Sequence, residues 1–335
     1  MEITFGYQKN LVICSNSELL KRTWSNSTHV EKMLIPDLEV LPYDNFSPHS
    51  EVSSKRLIAL RDLLKKDSVT AFSTVPALFQ PFFDKASINT LYLEFKENQK
   101  IDRNELISNL VENGYDSSDL VSKPSSYALR GSVIDIFPSN SKYPVRIDLD
   151  DDLISSISIF DTDTQKTLRK INSFIVRPSR GFVLNINSIK VFKKNWRSRF
   201  KDDGEVFESV SKGKFISGIE FYSSLFYDEK PSLKDYLNDF NIFIVGDVES
   251  ESKNYWELIN NRYEEFLGDV NRPILKPEEI FNSLDEINNL ISESERIDLP
   301  KASFNKSLDL VFKDSSSSSE QLERDFDSLL NFKKD

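Results

Sequence analysis

An α/β protein interrupted by a small α+β domain is the fold class that this 335-residue sequence predicts. Strand and helix signals alternate over residues 1–90, short strands with tight turns crowd residues 91–178, and the first kind of alternation returns over 179–300. The length agrees, since it exceeds what one core ordinarily serves and points to two or three domains.

In the first stretch, Leu11-Val12-Ile13-Cys14 and Met33-Leu34-Ile35 are apolar runs of strand length, and residues 69–75 form a third, ended by Pro76. Ser53 is placed to cap a helix with Leu57, Ile58, Leu60, Leu63 and Leu64 on its inner face and Lys and Arg outside. In the second stretch, Asp102 and Glu105 are spaced as a capping box. Leu106, Ile107, Leu110 and Val111 share one helical face, and Gly114 falls where the helix must stop. Strands are then expected over 127–130, 132–137, 145–149, 156–160 and 171–176. Pro138-Ser139-Asn140-Ser141 and Asp161-Thr162-Asp163-Thr164 supply turn chemistry between them. Residues 178–181 read as a return linker. Beyond it come a helix over 188–200, a strand over 242–245, a long helix over 251–267 carrying Tyr255, Trp256, Ile259, Tyr263 and Phe266, and another helix opened by Pro277. The middle domain thus reads as an insertion into the first. In 301–335, five serines (Ser315 to Ser319) suggest a tether to a terminal amphipathic helix with Leu322, Phe326, Leu329 and Leu330.

Hydrophobic residues make up 39% and charged residues 29%, the composition of a globular protein. No apolar run approaches the roughly 18 residues of a membrane span, and Met1 to Phe5 do not open a secretory signal, so cytoplasmic residence is expected. The single cysteine, Cys14, excludes an internal disulfide and a cysteine-built zinc site. A net charge of −11 disfavours a partner bound through phosphates. The densest basic stretch (Lys190, Lys193, Lys194, Arg197 and Arg199) spreads around a helix whose stripe is Ile189, Phe192, Trp196 and Phe200, which reads as a solvated face.

Catalytic signatures are missing. A P-loop cradles phosphates with clustered backbone N–H groups and a lysine; the nearest string, Gly213-Lys214, continues into Phe215 and lacks the upstream glycine. Asp285-Glu286 sits within a helical pattern, not after an apolar strand as a helicase acidic box would. His29 and His49 have no companion at metal-ligand spacing. Asp148 and Asp150 stand two apart on a strand, hence on one face, but a third metal ligand is lacking. No catalytic residue, metal or cofactor is expected in this chain.

Several strings resemble a known family. Leu41-Pro42-Tyr43-Asp44-Asn45-Phe46-Ser47-Pro48, preceded by the acidic stretch 37–39, is similar to a segment of the Mfd family of transcription-repair coupling factors. The string from Leu129 to Pro138 resembles the RGxxxDxFP segment that Mfd shares with UvrB, and Arg146-Ile147-Asp148 followed by Phe160-Asp161 resembles its continuation. Val210 to Gly213 and Gly218-Ile219-Glu220-Phe221-Tyr222 resemble Mfd more than UvrB. The similarity runs in order over about residues 8 to 295.

The resemblance implies a degenerate RecA-like (P-loop NTPase-like) domain carrying an inserted α+β domain of antiparallel strands. It implies docking of UvrA, the damage-recognition ATPase, through Arg130, Arg146, Asp148 and Asp150. UvrB also carries an aromatic DNA-clamping hairpin, for which residues 43–53 leave no room. The family often has an aromatic at the position of Asp150. ATP, RNA polymerase and DNA are engaged in the family by a motor and a polymerase-interacting domain whose sequence is not found here, and the P-loop region is expected to be missing before the strand at Leu11. Strand alternation places Arg146, Asp148 and Asp150 opposite Val145, Ile147 and Leu149. An outward Arg146 would contribute little to folding, as exposed ion pairs are worth about 0–1 kcal/mol. The residues leave open that Arg130 and Arg146 instead bridge Asp135 or Asp148 within the domain. They also leave open a helicase fragment of the UvrB type that binds DNA or hydrolyses ATP, and an interaction domain for another partner.

Overall fold

Apolar runs flanked by helix-capping side chains set the first part of the chain in the computed structural model, which describes residues 3–28, 31–88, 91–269 and 271–298. His29, the serine run and the terminal amphipathic segment lie outside these residues. Strand β1 (Lys9–Cys14) leads into α1 (Ser17–Asn26), where the Asn16 side chain accepts the Leu19 N–H. Then follow β2 (Lys32–Ile35), α2 (Ser50–Lys65), β3 (Val69–Thr74) and α3 (Val75–Phe79). Pro76 does more than stop a strand, because it occupies the first turn of α3, where a missing N–H costs nothing. The expected cap of α2 is displaced by a turn: the His49 ring nitrogen accepts from Glu51 N at 3.3 Å, and Ser53 is buried inside the helix.

Nor are all the basic residues of α2 outside. Arg56 is buried, donating to the carbonyls of Pro36 (2.8 Å) and Ala77 (2.9 Å) with its guanidinium over the Phe82 ring. Burial pulls its pKa down to about 10. Backbone carbonyls left over at the ends of β2 and α3 give this charge partners that no helical periodicity reveals.

The chain divides into two compact units, Met1–Leu91 with Arg180–Pro300, and Tyr92–Ser179. The second contains β4 (Leu93–Lys96), α4 (Arg103–Glu112), β5 (Asp116–Ser117), β6 (Ser126–Arg130), β7 (Val133–Phe137), β8 (Val145–Asp150), β9 (Leu153–Phe160), β10 (Thr167–Lys170) and β11 (Ser173–Val176). Asp102 accepts from Asn104 N and Glu105 N to open α4. Gly114 closes it at φ 82°, with Gly114 N bonded to Val111 O and Tyr115 N to Leu110 O, the paired bonds of a Schellman ending. Six strands form a sheet in the order β10-β9-β8-β7-β6-β5, antiparallel except for the β5–β6 pair. The strand that enters the unit and the strand that leaves it, β4 and β11, pair antiparallel with Leu93 opposite Val176. Inward residues (Ile134, Ile136, Val145, Ile147, Ile154, Ile157) meet Leu106 and Leu110 of α4 in one core.

The first unit resumes with α5 (Ile186–Arg199), α6 (Glu205–Ser211), a 3-10 turn (Ile219–Phe226), α7 (Lys234–Leu237), β12 (Asn241–Val245), α8 (Val248–Phe266), α9 (Pro277–Ile280), α10 (Leu284–Ser292) and β13 (Glu295–Arg296). Its sheet is parallel throughout, in the order β13-β12-β1-β3-β2, so the unit is α/β. The long helix starts at Val248, earlier than expected, because Asp247 accepts Ser250 N. No helix among the described residues is long and apolar enough to cross a membrane. Trp196 of α5 is fully buried against Phe192, Phe200, Phe207 and Tyr222.

Two of the recognised strings close on each other here. The Tyr43 hydroxyl donates to Leu275 O at 2.9 Å while its ring stacks on Phe221. The Ser47 hydroxyl donates to Glu220 Oε2 at 2.7 Å and accepts the Gly218 N–H. Burial pushes the Glu220 carboxyl up, and Arg180, with a nitrogen 3.7 Å away, partly offsets it.

Candidate protein-docking face

Alternation along β6 to β9 gives the six-stranded sheet a second face, turned away from α4. Register places Ala128, Asp135, Arg146 and Ser158 in one row across it, and Arg130, Val133, Asp148 and Ser156 in the next. One end of this face is apolar, where Ala128 and Phe137 cluster with Val121 and Phe160. The other end carries the charges.

Asp135 organises that end. Its side chain is wholly buried, 0% exposed, in the middle of the apolar strand Val-Ile-Asp-Ile-Phe. A carboxylate in that position is tolerated only with charged hydrogen-bond donors. Arg146 supplies two, Nε to Oδ1 at 2.7 Å and Nη2 to Oδ2 at 2.9 Å, the paired fork that suits a carboxylate. Arg130 adds Nη2 to Oδ2. The Arg146 guanidinium also lies 4.3 Å over the Phe160 ring and donates to Gln165 O and Oε1. Hydrogen bonding to the Asp135 carboxylate raises the Arg146 pKa above its ordinary value. The turn bringing Gln165 within reach is tied by Asp161, which accepts the N–H and hydroxyl of Thr164; these bonds hold its carboxyl below the usual range.

The four sequence-predicted site residues therefore share a face without sharing a role. Arg146 is on that face, but only 18% exposed and bound to a buried carboxylate, so it is a structural member of the sheet and not the free outward arginine that alternation suggested. Arg130 is 43% exposed. Asp148 accepts the Ser156 hydroxyl at 2.6 Å, beside a bulge at which the extra residue, Ser155, donates to Asp148 O. Asp150 is exposed near the end of its hairpin. Asp135, Phe160 and Gln165 were not among the expected site residues. Asp135 is the acid of the RGxxxDxFP string and stands alone inside an apolar strand, the two signals that mark it.

Other candidates resolve into ordinary structure. Gly213 ends α6 at φ 70°, with Gly213 N to Val210 O and Lys214 N to Ser209 O, so Gly213-Lys214 lies at a helix C-terminus, the wrong end for phosphate. Asp285-Glu286 is the first turn of α10, where Glu286 accepts the Ser283 N–H in a capping box. In the basic stretch, Lys194 pairs with Asp228 and Arg199 with Glu279. Cys14 is buried, its thiol pushed up to about 12 by desolvation, which leaves it inert as a nucleophile. Among the described residues, no three His, Cys, Asp or Glu side chains are grouped to hold a metal ion.

The model of the UvrB interaction domain matches residues 93–182, the unit that carries this face. That segment is identified as a UvrB interaction domain. The chain is 32% identical over 283 residues to the transcription-repair-coupling factor of Haemophilus influenzae, covering 83% of this chain and 25% of that protein. To the factor of Escherichia coli K12 it is 31% identical over 272 residues, covering 80% and 24%. UvrABC system protein B of Neisseria meningitidis serogroup B is 25% identical over 239 residues, covering 64% of this chain and 35% of that protein. The chain spans about a quarter of the length of the coupling factors it matches. The UvrB interaction domain thus occupies the second unit, and similarity to the coupling factors extends into the first.

Proposed function

We propose that the UvrB interaction domain of this chain docks UvrA, and that the chain serves as the UvrB-like module of a transcription-repair coupling factor. The observation that carries the reading is the charged end of the sheet face: Arg130, Arg146, Asp148 and Asp150 converge there within the family-matched segment. An arginine fork on a firm sheet suits an acidic protein surface, because its planar donors pair with carboxylates while its stem packs on apolar neighbours. The first unit then serves as a degenerate RecA-like body. Release of stalled RNA polymerase and ATP-driven translocation on DNA would belong to the remaining length of the relatives. On this reading the protein works in the cytoplasm and links stalled transcription to nucleotide excision repair.

Calorimetric titration of the full chain with UvrA tests the proposal. Saturable binding is expected, and Arg130→Ala should weaken it roughly tens- to thousands-fold, since a partner carboxylate would be left buried and unpaired at a cost of about 2–5 kcal/mol. A chain that fails to bind UvrA, or an Arg130→Ala variant that binds unchanged, removes the reading. For this chain we also expect no nucleotide binding, because no glycine-rich phosphate cradle occurs in the sequence. A saturable micromolar affinity for ATP in the same calorimeter would instead favour an ATP-hydrolysing fragment of the UvrB type.

A further inference from the structure

We propose that Asp135 is the positioning residue of the docking face and that it divides the labour of the two arginines: Arg146 is immobilised as a strut, and Arg130 is the arm presented to a carboxylate of the partner. The inference rests on the docking reading above and names the chemistry of that site. One carboxylate faces two guanidinium groups, so the trio by itself carries a net charge of plus one. Arg146 cannot deliver that charge. Its Nε and Nη2 are both held by Asp135, its Nη1 by Gln165 O, and its flat face by Phe160. Arg130 reaches Asp135 through Nη2 alone, and its other nitrogens hold no further partner among the described residues.

Among the described residues, Asp135 is the one fixed point of that arm. Asp135 and Arg146 are register partners on β7 and β8, while Arg130 lies one row along, at the end of β6 before the Gly131-Ser132 turn. A guanidinium so placed would otherwise sample many rotamers, and ordering it on binding costs affinity. Held through one nitrogen, it is pre-set to offer the remaining donors to an incoming carboxylate. Asp148, in the same row as Arg130, accepts the Ser156 hydroxyl.

A double-mutant cycle on the full chain separates this from a purely structural role. Asp135→Asn keeps the shape of the side chain and removes its charge. It should weaken UvrA binding about tenfold or more, as expected for a charged pair at an interface. In an Arg130→Ala background the same change should have no further effect on affinity, because Asp135 acts through Arg130. Unaltered affinity of Asp135→Asn overturns the proposal, as do effects of the two changes that simply multiply. Guanidinium exchange measured by NMR on the unsubstituted chain needs no variant to fold. Hindered rotation at both Arg130 and Arg146 is expected, and free rotation at Arg130 overturns the assignment. Failure of the unsubstituted chain to bind UvrA removes the docking reading, whereas a pinned Arg130 with intact UvrA binding that ignores Asp135→Asn removes only this inference.

Discussion

Arg146→Ala is expected to destabilise the 92–179 unit by about 3 kcal/mol, the lower end of the roughly 3–5 kcal/mol seen when one partner of a buried ion pair is removed. The lower end applies because Arg130 still touches Asp135. The cost is that of the orphaned carboxylate and not of the lost arginine. A double variant, Asp135→Val with Arg146→Met, should therefore recover most of the stability, since an apolar pair of similar bulk removes both charges from the sheet. The choice of probe matters. All three tryptophans, Trp24, Trp196 and Trp256, lie in the first unit, so tryptophan fluorescence is blind to this loss. Hydrogen exchange at the amides of β7 and β8 reports it directly. Unchanged protection in Arg146→Ala would mean that Arg130 alone suffices for Asp135, and that Arg146 is as dispensable as strand alternation suggested.

The second large effect is expected at Tyr43, in the other unit. Its ring is buried among Phe221, Tyr263 and Phe281, at centroid distances of 6.0, 5.8 and 5.6 Å. The neighbouring carbonyl of Pro42 accepts from Arg262. Truncation of Tyr43 to alanine should cost about 3–5 kcal/mol, the range for large aromatic side chains in cores. Tyr43→Phe removes only the bond to Leu275 O and should cost about 1–3 kcal/mol through the unsatisfied carbonyl. Both losses are visible in tryptophan fluorescence during denaturant unfolding. UvrA affinity below the transition should stay unchanged, because the string around Tyr43 is packed into the first unit. A loss of UvrA affinity without a loss of stability would reassign Tyr43 from scaffold to interface.

Legibility followed the physics of burial. Leu11-Val12-Ile13-Cys14 is a strand covered on both faces, so its run of apolar residues announces it. Along β8, alternation of Val145, Ile147 and Leu149 with charged residues is equally plain. By contrast β10 is exposed at every position and β5 has two residues, leaving no buried periodicity to read. Paired charges were harder. Arg56 on α2 looks like an ordinary surface residue, and only the tertiary structure brings carbonyls to it; for Arg146 on β8 the sequence offers both Asp135 and Asp148 as partners, and the fold selects Asp135. On the sheet face, the sequence put Arg146, Asp148 and Asp150 on one side of β8 and left open a bridge from the two arginines to Asp135 or Asp148. The structure makes that bridge to Asp135, a burial that no periodicity announces.

The pairing of β4 with β11 bears on how such a protein can be rearranged in evolution or in the laboratory. With Leu93 opposite Val176, the points at which the polypeptide enters and leaves the 92–179 unit stand about 5 Å apart, the spacing of facing residues in an antiparallel pair. A segment with neighbouring ends can be excised or transplanted at the level of the gene, and a short loop suffices to rejoin what remains. The same small unit can thus pass between hosts, with little demand on the host beyond two nearby points of attachment.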